Sequence, residues 1–112
     1  MAKQITPNQA KTLCNNYDLK HAEISKFIGK QDNRSVYIPL DVLKNYLNYI
    51  ENANQDIDGV RIYLGSYGKD EGNQADYTTV FIAPTCKEED NTVLDLLNYG
   101  DKGFPPQKKY GE

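Results

Sequence analysis

The stretch GVRIYLGSYG, Gly59 to Gly68, sets an arginine between tyrosines, and it is the grouping in this chain most suited to recognition. Its alternation reads as a β-strand with Arg61, Tyr63 and Tyr67 on one face. The segment DYTTVFIAPT, Asp76 to Thr85, reads as an antiparallel partner and adds Thr79, Phe81 and Ala83 to that face. A guanidinium offers a planar fork of donors and stacks on aromatic rings. Arginine and tyrosine are also enriched where binding energy concentrates. Two uses of the face stay open. In the first, a second helix covers it and Arg61 lies over Tyr63 or Phe81, its head paired with Asp58 or Asp76. In the second, Arg61, Tyr63, Tyr67, Thr79 and Phe81 form an exposed binding patch.

Other residues with chemical potential are poorly placed for it. Nucleophilic catalysis needs a base beside the nucleophile, and the chain has one histidine, His21, in a polar segment that reads as exposed. Cys14 and Cys86 show no CxxC spacing, so they read as reduced packing residues. Asn54, Asp56, Asp58 and Gly59 match the first half of a calcium loop, but its twelfth position, where a bidentate glutamate belongs, is Gly65. An ordinary helix-to-strand turn is expected there. Gly65, Gly68 and Lys69 lack the spacing of a phosphate loop. No catalytic residue, metal ligand or cofactor is assigned.

The elements that position the strand follow from periodicity and capping. With 112 residues the chain makes one domain, 1–112. Nine tyrosines and three phenylalanines supply a foldable core despite a 38% hydrophobic fraction and a mean hydropathy of -0.74. Thr6 and Pro7 form a helix start, and Ala10, Leu13, Cys14 and Tyr17 recur at helical spacing, predicting one buried face. A second short helical set, Ile24, Phe27 and Ile28, ends at Gly29, followed by a polar loop to Arg34. Ser35 to Ile38 reads as a short strand stopped by Pro39. Leu40, Leu43, Leu47 and Ile50, widened by Val42, Tyr46 and Tyr49, mark a helix over 40–52. Val60, Ile62, Leu64, Val80 and Ile82 should face the helices. The segment 91–100 reads equally as helix or strand, and 101–112 as an extended surface tail. The sum is an α+β fold: a small antiparallel sheet, a central hairpin plus a short strand, packed with two to three helices.

Charge narrows the partners. Thirteen basic and sixteen acidic residues give a net charge of -3 without a basic stripe, which argues against nucleic acid. No stretch has the apolar length of a membrane span, and MAKQITPNQAKTL lacks the apolar core of a signal peptide, so a cytoplasmic chain is expected.

In GVRIYLGSYG, TTVFIAPT and the tail NYGDKGFPP, the chain resembles a group of small uncharacterised bacterial proteins of the Bacteroidetes type. The likeness covers the second half strongly and the helix at Leu40 loosely, with Gly59 to Tyr63 its most specific part. Members often carry a cysteine before the paired prolines; here Phe104 precedes Pro105 and Pro106, so no metal or redox role follows for the tail. The resemblance implies no activity. Composition and the Arg61 face together lead to an expectation of a non-enzymatic, accessory or inhibitor-like protein with a protein partner. The alternative is a small-ligand pocket or an enzyme in which Arg61 holds a carboxylate or phosphate and a tyrosine acts as acid or base.

Overall fold

Helix α1 begins where a capping box satisfies its first donors. Thr6 is extended and accepts from the Gln9 N–H, while the Gln9 side chain accepts from the Thr6 N–H at 2.8 Å. The computed structural model describes residues 3–98 and Tyr110. In it α1 runs unbroken over Pro7–Ile28, where the sequence suggested two pieces. Residues 19–23 hold neither glycine nor proline, so nothing interrupts the ladder. Gly29, at φ 79°, closes the helix in the left-handed conformation that glycine adopts without cost.

The contact stripe of α1 also differs from expectation. Ala10, Cys14, Tyr17, Ile24 and Ile28 are half-buried and His21 is buried, at alternating spacings of four and three. Leu13 falls off that stripe and is exposed, as are Leu19 and Phe27. His21, expected on the surface, sits at the centre of the contact instead.

Helix α2 spans Leu40–Glu51, with Asp41 in its first turn where the helix dipole favours an acid. Tyr46 and Ile50 meet Ile82 to form the core, and Ile38, Leu43, Ile57, Leu94 and Leu97 pack around it. The Tyr46 hydroxyl reaches the carbonyls of Asp95 (2.8 Å) and Ile82 (3.3 Å), so the buried ring keeps its polar end satisfied.

Strands β1 (Gly59–Ser66), β2 (Thr78–Cys86) and β3 (Glu89–Asp90) form an antiparallel sheet in that order. A polar connection containing one turn of 3-10 helix, Gly72–Gln74, joins β1 to β2. The small antiparallel sheet with two helices is an α+β fold, as the sequence implies. Ser35 to Ile38, however, is no strand. The outer edge of β2 is already occupied, residue by residue, by other groups. Thr78 gives its N–H to Asp32 Oδ1 (2.8 Å) and receives Asn33 Nδ2 on its carbonyl (2.9 Å). Val80 receives Asn98 Nδ2, Ile82 exchanges both backbone bonds with Leu97, Pro84 receives the Asn91 N–H, and Cys86 pairs with β3. Pro84 has no N–H to leave unmade on this side, which is why a proline is tolerated in the central strand. Segment 91–98 is therefore neither the helix nor the full strand considered; it bends along β2 with a single bridge at Leu97. The tail reading for 101–112 lies outside the described residues apart from Tyr110.

Asp32 ties α1 to this edge. Its side chain is completely buried and also accepts from the Thr78 hydroxyl. Its backbone N–H donates to Ser25 Oγ (2.9 Å), and its carbonyl accepts from His21 Nε2 (2.8 Å). The polar loop after Gly29 is thus buried at Asp32 and Asn33, contrary to the usual fate of such sequences.

By contrast, the apolar face of β1 is uncovered: Ile62 is 67% and Leu64 78% exposed. Helix α2 packs on Ile82 and the returning segment, not on β1; of the residues expected to face the helices, Ile82 is buried against α2, Leu64 and Val80 lie across an open cleft from α1, and Ile62 is exposed.

Removing the Asp32 carboxyl group leaves the N–H and hydroxyl of half-buried Thr78 without their partner. Asp32→Ala should cost roughly 2–4 kcal/mol and lower the melting temperature by more than about 10 °C. Thr78→Val, which keeps the N–H bond, should cost about 1 kcal/mol. Paired thermal melts check this; an Asp32→Ala midpoint within about 2 °C of wild type would contradict it.

Candidate functional site

The β1–β2 register sets Arg61 opposite Ala83, Tyr63 opposite Phe81 and Gly65 opposite Thr79. All five residues singled out on this face come together. Tyr63 stacks on Phe81 with centroids 5.1 Å apart and rings 17° from parallel. Its hydroxyl donates to Asp90. Tyr67 donates to Asn98 Oδ1 (3.2 Å) and accepts from the Thr79 hydroxyl (3.3 Å), so Asn98 joins the row. Nothing in the sequence marks Asn98, because the segment bearing it has no clear periodicity.

Arg61 has partners other than those expected. Nε and Nη2 both donate to the Glu88 carbonyl, at 3.2 and 2.7 Å, and Nε lies 3.9 Å from Asp90 Oδ1. Asp58 instead accepts from the Thr85 hydroxyl (2.8 Å) and the Glu88 N–H (3.3 Å), and Asp76 meets Lys69. No described helix lies over the arginine, whose side chain is 51% exposed.

The geometry at Glu88 explains this arrangement. Lys87 and Glu88 make the two-residue turn from β2 to β3, both with positive φ, at 52° and 67°. Asparagine and glycine usually fill such a turn, and for other residues the left-handed conformation costs roughly 1–2 kcal/mol each. Asp58 holds the Glu88 N–H and Arg61 holds its carbonyl. The arginine between tyrosines therefore clamps a turn that its own residues disfavour. The pair Lys87-Glu88 carries no turn signature, so the sequence gives no warning of it.

Electrostatics agree. The hydrogen bond from Thr85, followed by the backbone N–H groups of Lys87 and Glu88, holds the Asp58 carboxyl below the ordinary value of 3.8. The hydrogen bond to Asp90 pushes the Tyr63 phenol above its ordinary 10.0. A phenol so raised is a poorer general base near neutral pH.

An open hollow of about 460 Å³ adjoins Arg61, lined also by Asp58, Gly59, Val60, Thr85 and Glu88. The guanidinium there is committed to Glu88 and flanked by Asp58 and Asp90, an unfavourable setting for an anion. Elsewhere, Cys14 and His21 share the α1 stripe seven residues apart, roughly 10 Å along the axis. His21 spends Nε2 on Asp32, so the pair has no catalytic geometry. Asn54 and Asp56 adopt positive φ in a tight turn, and among the described residues no group of three or more metal-capable side chains converges. No described helix is long and apolar enough to cross a membrane. Compared with protein-family models, curated proteins and solved structures, the chain matches none.

Because Asp58 has a lowered carboxyl, its contribution is fully present above the ordinary value of 3.8 and is lost as pH falls through the lowered one. Asp58→Asn should therefore melt below wild type from pH 7 down to about 4, and the two curves should converge at more acid pH. Melting temperatures across that range test it; a constant gap down to pH 2 would contradict the assignment.

Proposed function

We propose that this chain is a non-catalytic, cytoplasmic binding protein, of an accessory or inhibitor kind, that engages a protein partner through the Arg61 face of β1. One observation carries the reading: the face is exposed at Arg61 yet fixed in place. Its guanidinium is oriented by Glu88 and Asp90, and the Tyr63 ring by Phe81 and Asp90. Ordering such long side chains beforehand removes part of the entropy that association otherwise costs. Tyrosine and arginine held in this way are the groups that dominate protein interfaces.

The bacterial resemblance of the β1–β2 hairpin belongs to the same proposal and supports a bacterial cytoplasm as its setting. A carboxylate or phosphate ligand at Arg61 is the weaker reading, because an entering anion would displace the Glu88 carbonyl and meet Asp58 and Asp90.

Arg61→Ala separates clamp from recognition. Its bonds are solvent-exposed, so stability should fall by only about 1 kcal/mol, while a partner retained by wild type in affinity capture from the native cell should be lost. Tyr63→Ala should weaken that retention as well. Retention unchanged in both variants, with both still melting cooperatively, would refute the Arg61 face as the binding surface.

A further inference from the structure

Backbone direction decides what β1 can still bind. Ile82 exchanges both of its backbone bonds with Leu97, on the side away from β1. Ile62 stands opposite Ile82, so this pair is of the non-hydrogen-bonded kind, and the N–H and C=O of Ile62 point to the outer edge of the sheet. By the two-residue alternation, those of Val60 and Leu64 point there as well. No described residue bonds to any of them. An outward row of donors and acceptors at this spacing is matched by the backbone of another extended strand. We infer that the outer edge of β1 pairs with the same edge of a second copy, antiparallel about a two-fold axis at Ile62, so that two sheets become one.

The devices that usually keep such an edge apart are missing from it. Gly59–Ser66 holds no proline and no lysine, and its register with β2 runs through without a bulge. Its charged residue, Arg61, is turned back onto the Glu88 carbonyl. Val60, Ile62 and Leu64 are all exposed. The strand is also self-complementary, and this selects a second copy over an unrelated chain. Pairing about Ile62 sets Ile62 opposite Ile62, Val60 opposite Leu64 of the second copy, and Arg61 opposite its Tyr63. The arginine and tyrosine then occupy non-hydrogen-bonded positions, where side chains approach most closely, and a guanidinium beside a tyrosine ring is attractive. Sliding the strands by two residues one way brings Arg61 against Arg61. The other way sets Arg61 against Gly65 and Val60 against Ser66. A slip of one residue opposes outward groups to inward ones and breaks the ladder. Edge pairing leaves both faces of the sheet open, so recognition at the Arg61 face is compatible with it.

Sedimentation of the full chain at about 100 μM should give a mass near twice 12.7 kDa, falling to that of the monomer on dilution. Ile62→Lys changes a residue that is 67% exposed and so spares the fold, while setting like charges against each other on the axis. It should weaken association by about tenfold or more, as should Ile62→Glu, and an equimolar mixture of the two variants should recover it. In wild type the Ile62 and Leu64 amides should exchange about tenfold or more slowly in the dimer than in the dilute monomer. A monomer at every concentration up to about 1 mM would overturn the proposal. A dimer unmoved by either variant, or one in which those amides gain no protection, would overturn edge pairing. A mixture of the variants that stays monomeric would overturn the axis at Ile62. All of these measurements use the purified chain alone, so their failure leaves recognition at Arg61 standing.

Discussion

Thr78 owes its fixed place to the buried carboxyl group of Asp32, and most of the architecture depends on that pair. A buried carboxyl group is tolerable only when its oxygens have hydrogen-bond partners, and here the Thr78 N–H and hydroxyl supply them. The same loop residue returns to α1 through Ser25 and His21. Helix and sheet are therefore joined less by an apolar interface than by a polar knot. The core of Tyr46, Ile50 and Ile82 belongs to α2 and the sheet, and α1 contributes no residue to it. Loss of the knot would leave α1 with only a half-buried stripe to hold it.

The knot also begins a chain of substitutions for a missing strand. Along the outer edge of β2, side chains of Asp32, Asn33 and Asn98, the backbone of Asn91 and Leu97, and finally β3 each take one position. An edge so closed cannot recruit another chain. Strand β1 is the opposite case: it ends the sheet, no described residue pairs with its outer edge, and Ile62 and Leu64 face outward. Both proposed contacts lie on this strand, one on its Arg61 face and one along its free edge. The protein thus spends its hydrogen-bonding resources on β2 and the β2–β3 turn, and presents β1.

Much of this was legible where local rules dominate. Thr6-Pro7 and Gly29 bracket α1 because caps act through neighbouring backbone. The leucine and isoleucine stripe marks α2, and alternation places Arg61, Tyr63, Thr79 and Phe81 on one face with the register the hairpin requires. What escaped is long-range and polar. Nothing in GKQDNR distinguishes a solvated loop from one whose Asp32 and Asn33 finish a sheet 45 residues or more away. His21 looks exposed among Lys20, Glu23 and other polar neighbours, and only its bond to Asp32 explains its burial. The partner of Arg61 was misjudged for a related reason: Asp58 and Asp76 are the near acids in sequence, whereas the need it meets is the carbonyl of a strained turn.

Native-state hydrogen exchange at the Thr78 amide tests the central claim most directly, since that N–H ends on a side chain and not on a strand. If Asp32 completes the sheet edge, Thr78 should exchange as slowly as Ile82, through global unfolding alone. In the dilute monomer, exchange at Thr78 as fast as at the outward amides of β1, while Ile82 stays protected, would contradict it.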